Sequence, residues 1–285
     1  MRRKRDKQKK RRIVGSNIVL ILMIVAGLGL ILYPSVANWW NSKHQTRLIS
    51  DYTSAVQSTD TEKEEQMLAS AQAYNAKLKE RGFSLILNDE EKAEYEAQLD
   101  VTGTGIMAYI EIPKIATTLP IYHGTDEAAL QIAIGHLEGT SLPVGGESTH
   151  SVVSGHRGLP SAQLFTRLDE LVIGDRFMIH VLNETLTYEV DNIQIVLPDE
   201  VSSLAIQEGK DLVTLVTCTP YGVNSHRLLV TGHRVENDAV SPVISANATQ
   251  VPTKTVALVL TVIFAVIILI VWLVMRRHQP TYDDL

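Results

Sequence analysis

The 285 residues hold one thiol, Cys218. It ends a β-forming run, LVTLVTC, just ahead of Thr219-Pro220. A side chain at a strand's end, beside a proline-bounded loop, can point into a cleft. The plainer alternative is an inert buried thiol, since cysteine packs as a small hydrophobe. One cysteine excludes an internal disulfide and any cysteine-ligated zinc or iron–sulfur cluster.

Nine histidines are present. His156 stands out by context: it ends another apolar run, SVVSGH, and Arg157-Gly158 follow. His226-Arg227 open a third run, HRLLVTG, with Arg227 nine residues after the thiol. If LVTLVTC and HRLLVTG pair antiparallel across a short loop, Cys218 and Arg227 share one sheet end. The three residue types then supply a nucleophile, an acid/base and a fixed cation. A thiolate is the nucleophilic form of cysteine. Histidine can hand a proton to a leaving amine. Arginine stays charged and donates several hydrogen bonds to a developing oxyanion. No HExxH, Walker or GxGxxG motif competes. A histidine-only zinc site from His150, His156 and His233 has no motif spacing behind it, so no metal and no cofactor is expected.

The elements that must position these residues lie mostly between residues 102 and 236. Short runs such as MAYIEI, RFMIHVL, TLTYEV, IQIVL and DLVTLVTC alternate apolar and polar residues, and Gly, Pro, Asn and Asp separate them. That pattern predicts a mainly β domain, a closed or nearly closed barrel or sandwich. Short helices are expected at 127–134 and 162–171. Residues 34–101 read as a helical extension. Leu48, Tyr52 and Val56 share one face, Asp60 or Thr61 caps a second helix, and Met67, Ala71, Tyr74 and Leu78 stripe it up to Gly82.

Charge and hydropathy set the surroundings. Residues 1–12 carry nine Lys/Arg and one Asp, and the uncharged run 13–33 follows. A second uncharged run spans 255–275, after a polar linker at 237–254, and Arg276-Arg277 open the tail 276–285. Each run is about the 20 residues that a helix needs to cross a bilayer. The basic flanks predict two spans with both termini cytoplasmic, leaving 34–254 outside. A cleaved signal peptide is the alternative for the first run. The outer region holds 15 Lys/Arg against 29 Asp/Glu, a net charge of −14, which argues against nucleic-acid binding. The lipid bilayer is the expected contact instead.

TLVTCTP around Cys218, SGHRG around His156 and NSHRLLV around Arg227 resemble the signature segments of sortases, the cysteine transpeptidases of Gram-positive cell surfaces. The likeness is closer to class C, the pilus-polymerising sortases, and runs through YIEIPKI, LPIYHGT, LFTRLDEL and GDRF over about 105–235. It implies an eight-stranded sortase-type β-barrel with His156, Cys218 and Arg227 as the catalytic triad. It also implies that Thr217, Thr219 and the loop 220–225 lie near the substrate. The expected reaction cleaves an LPXTG-like sorting signal through a Cys218 thioacyl intermediate, which a lysine of the next pilin resolves. Two alternatives stay open: a wall-anchoring sortase that uses a peptidoglycan-precursor amine, or a non-catalytic module that binds sorting signals. A general cysteine peptidase is a third. Class C sortases usually carry an Asp-Pro-aromatic lid ahead of the barrel. Here the stretch 83–95 has Asp89 followed by Glu90, with no aromatic next. Asp89 approaching Arg227 as a lid residue and a plain surface loop are both open readings.

Overall fold

The computed structural model describes residues 2–237, with side chains from residue 19 onward. The second apolar run, the tail after it and the linker beyond Asn237 lie outside the described residues. The chain divides into two units at Leu30/Ile31. The helix α1, Arg2–Ser58, starts in the first and continues without a break across the expected boundary at residue 33. Its apolar stretch, from Val19, is exposed. It is the one helix among the described residues long and apolar enough to cross a membrane, which fits membrane anchoring.

Within the second unit, α1 packs along a barrel through one stripe. Tyr52 and Val56 are buried with Ile106, and Leu48 leans on them. The Tyr52 hydroxyl donates to Met107 O at 3.0 Å and accepts from Leu182 N at 2.9 Å. One buried phenol thus satisfies a carbonyl and an amide that would otherwise cost about 1–3 kcal/mol each. The helix α2, Thr61–Arg81, starts at Asp60, whose carboxylate accepts from Glu62 N, and stops at Gly82 with φ +82°. Ala71, Tyr74 and Leu78 bury its expected stripe in the barrel's main core, with Met67 against them. The helix α3, Asp89–Glu96, begins in a capping box between Asn88 and Glu91.

Eight strands follow: β1 Ile106–Ile112, β2 Thr117–His123, β3 Ile134–His136, β4 Thr149–Ser154, β5 Arg176–Val181, β6 Glu184–Val196, β7 Asp211–Thr219 and β8 His226–Val235. They close in the order β1-β2-β3-β4-β7-β8-β6-β5. The β2/β3 and β4/β7 pairs are parallel and the rest antiparallel. The barrel expectation therefore holds, with corrections in detail. TLTYEV and IQIVL form one strand, β6, because a register shift between Val190 and Asn192 absorbs the break in alternation. β2 carries Pro120 inside the run TTLPIYH, and β3 is three residues long, so neither shows a clean strand pattern. The helix expected at 127–134 is the shorter α4, Glu127–Leu130. The one expected at 162–171 is reduced to a 3-10 turn at Leu168–Glu170.

Candidate active site

The site is built where three strands end together. β4 runs parallel to β7, and their register reaches Ser154 opposite Val216, with Gly155 N bonded to Val216 O at 3.0 Å. His156 follows one residue beyond. β8 runs antiparallel to β7 and sets Arg227 directly opposite Cys218. β6 sets Val196 on the other side of Arg227. Alternate residues of a strand share a face, and here the two faces have different fates. Val213, Leu215, Leu228 and Val230 point into the main core. Val152, Val216 and Leu229 form a smaller cluster on the outer face. Cys218 and Arg227 continue that outer face to the strand ends, where the thiol is free and half-buried.

Behind this row His150, Thr214 and Thr231 form a bonded chain. His150 Nδ1 donates to Ala205 O at 3.0 Å, and its Nε2 lies 2.7 Å from Thr214 Oγ1, which meets Thr231 Oγ1 at 2.7 Å. Burial pushes the His150 imidazole below the ordinary histidine range. At the rim the groups are freer. His156 Nε2 has no hydrogen-bond partner, and a Glu127 carboxylate oxygen stands 3.6 Å away. Arg227 Nη1 donates to Asn224 O at 3.3 Å and His226 O at 3.1 Å. These contacts orient the guanidinium without using its charge on a carboxylate.

Thr217 is 1% exposed and donates its hydroxyl to Gly155 O at 2.7 Å. It therefore ties β7 to the residue before His156 from inside the barrel. Thr219 accepts from Arg157 Nη1 at 3.1 Å. Arg157 and Glu127 are the functional candidates that sequence reading passed over. Arg157 is half-buried beside the thiol strand, ion-paired with Asp169, and 6.0 Å from the Tyr221 ring centroid. Its position directly after His156 was the available signal. Nothing in the sequence spacing signalled Glu127. Asp89 lies at the first turn of α3, and no hydrogen bond or ion pair joins it to Arg227 among the described residues. Polar contacts of α3 run instead to α2, through Arg81–Glu91 and Lys77–Glu94, and to β3, through Tyr95 and His136. Among the described residues no group of three or more His, Cys, Asp or Glu side chains is arranged to hold a metal ion.

Taken together, the strand ends hold one thiol, one histidine with an unpaired nitrogen and one arginine with unused donors. Such a set can form a thiolate, relay a proton and stabilise an oxyanion. Comparison with known proteins adds to this geometry. A family model described as a sortase domain matches residues 110–235. Sortase D of Bacillus subtilis is 32% identical over 151 residues, covering 52% of this chain and 73% of that protein. Sortase C1 from Streptococcus agalactiae is similar in structure at TM-score 0.66 and 53% identity, over 67% of this chain and all of that one. Sortase C-1 from Actinomyces oris matches at TM-score 0.58 and 48% identity, over 61% of this chain and 99% of that one.

Proposed function

The chain belongs to the sortase family of cysteine transpeptidases, and from that premise we propose that it is a class C enzyme that joins pilin subunits. The observation that carries the reading is the strand-end row, with Cys218 opposite Arg227 and His156 just past the parallel neighbour. The likeness to solved sortase C structures supports the class.

In this reading the Cys218 thiolate attacks the scissile carbonyl of an LPXTG-like signal. Arg227 donates to the oxyanion, and His156 protonates the departing amine. The thioacyl enzyme is then resolved by a lysine amine of the next pilin, giving an isopeptide bond. The enzyme works at the outer face of the membrane, anchored by its first apolar run and by the second at 255–275.

Intact-mass spectrometry of the full chain in nanodiscs, mixed with an LPXTG-bearing pilin and a lysine-bearing pilin domain, tests it. The expected result is a Cys218 adduct that resolves to a pilin dimer, with no adduct in Cys218→Ala. An adduct resolved only by water or by a wall-type amine would replace this reading with a peptidase or an anchoring enzyme.

A further inference from the structure

One face of α1 continues beyond the apolar stripe toward the membrane-proximal end, and there it turns polar. Asn38, Asn41 and Gln45 stand at i, i+3 and i+7, the spacing of one helix face. Asn38 Oδ1 accepts from Gln163 N at 2.7 Å. Asn41 Nδ2 donates to Ser161 O at 2.8 Å. Gln45, 7% exposed, donates through Nε2 to Ile132 O at 2.6 Å.

The segments these residues hold are the two that flank His156. Ser161 and Gln163 lie in the connection between β4 and β5, which leaves β4 through His156 itself. That connection folds back on its own base: Phe165 N donates to His156 O at 3.2 Å, and Gly158 N to Thr166 Oγ1 at 3.0 Å. Phe165 seats against Gly155, where a Cβ would come within 2.9 Å of the ring. The base is thus packed, and Ala162 and Leu164 bury the tip's apolar side chains in the main core, while Ser161 and Gln163 beside them are only half-buried. The tip's backbone groups at 161 and 163 are met by Asn41 and Asn38. Ile132 follows α4, whose Glu127 carboxylate faces His156. One helix face therefore fixes the loop behind the imidazole and the segment in front of it. Connections of this length with little regular structure are where conformational multiplicity resides. Misplacing a reacting group by about 1 Å can cost up to about a hundredfold in rate.

We propose that Asn38, Asn41 and Gln45 are positioning residues for transpeptidation, holding from α1 the two segments that set the place of His156. This rests on the reading of His156 as the acid/base. Loss of these contacts then slows thioacylation with little change in substrate affinity.

The test uses the full chain in nanodiscs and an LPXTG peptide, with kcat, KM and Tm measured for each variant. Asn38→Ala/Asn41→Ala should lower kcat about tenfold with KM within about twofold. Single carboxylate variants separate positioning from general helix packing. Asn38→Asp keeps an acceptor for Gln163 N and restores most of the rate. Asn41→Asp loses the donor to Ser161 O, sets a carboxylate against a carbonyl, and falls with the double variant. Wild-type kcat in the double variant, beside an inactive His156→Ala, overturns the proposal alone. An active His156→Ala overturns the reading beneath it and the proposal with it. If the double variant fails to fold, equal kcat for Asn38→Asp and Asn41→Asp overturns the proposal.

Discussion

Two histidines sit on neighbouring strands of one sheet and meet opposite fates. His136 ends β3, paired with Val153 of β4, and is completely buried. Its Nε2 donates to Ser141 O at 2.8 Å, and its Nδ1 accepts from the Tyr95 hydroxyl at 2.9 Å. The carbonyl accepts only, so the partners assign the neutral tautomer with the proton on Nε2. His156, just beyond β4, is partly exposed as a side chain, but its Nε2 is buried and unbonded. The difference is one of position along the strand. His136, inside the sheet, spends both nitrogens on structure and so avoids the cost of a buried unpaired polar group. His156, past the strand end, is held by its backbone and bears that cost, its Nε2 buried yet uncommitted.

Exchanging the two outcomes by mutation gives the largest expected contrast. His156→Ala should lower kcat/KM by about a thousandfold, within the usual worth of a general acid/base, and shift Tm by no more than about 2 °C. His136→Ala should do the reverse. It strands Ser141 O, removes one of the Tyr95 hydroxyl's partners and leaves a cavity, costing about 2–4 kcal/mol, or roughly 8 °C in Tm for a domain of this size. Activity per folded molecule should stay within about threefold. The measurements are peptide transpeptidation kinetics and thermal unfolding on the same preparations. A His136→Ala enzyme as inactive as His156→Ala, at temperatures where it is folded, would erase the distinction.

That contrast also shows what a sequence discloses. The thiol, the histidine after SVVSG and the arginine nine residues past the thiol were legible, because chain order and strand ends alone bring them together. The apolar stripes of α1 and α2 were legible for the same local reason. His136 was not, since IGH is too short a strand to show alternation and its partner Tyr95 arrives from 41 residues away. Asn38 and Asn41 were hidden as well. Their partners lie 125 and 120 residues on, and an asparagine on a polar helix face carries no mark of what it touches. The inward turn of Thr217, set by the period of two along β7, takes its hydroxyl to Gly155 O, a partner 62 residues away that the run LVTLVTC does not disclose.

The second contrast is in pH. Burial pushes His136 down to about 4, whereas an unfolded histidine titrates near 6.5. Between those values the unfolded chain binds the extra proton. Stability is therefore fully present above about pH 6.5 and falls as the pH drops toward 4, by roughly 3 kcal/mol for this residue. His150 and His180 are pushed the same way by burial, so His136→Gln should remove part of the acid-side loss. Denaturant unfolding between pH 7 and pH 4.5 measures it. An unchanged pH slope in His136→Gln would show that the buried site is not what the acid attacks first.

The smallest effect sharpens the comparison at its exposed end. Among the described residues Glu127 is the one carboxylate paired with His156 Nε2, at 3.6 Å, and its side chain is 71% exposed. A negative charge there attracts positive charge that develops on the ring during proton transfer, but solvent screens a pair so open. Glu127→Gln should therefore lower kcat/KM at pH 7 by only about twofold to threefold at low ionic strength. The loss should vanish near 1 M salt, where the Debye length is about 3 Å. The Tyr95–His136 bond, made between neutral groups in a dry interior, has no such dependence, so Tyr95→Phe should lower Tm by the same amount at both salt concentrations. A Glu127→Gln defect that persists in high salt would mean that the carboxylate acts by contact, and the rim histidine would then be held as tightly as the buried one.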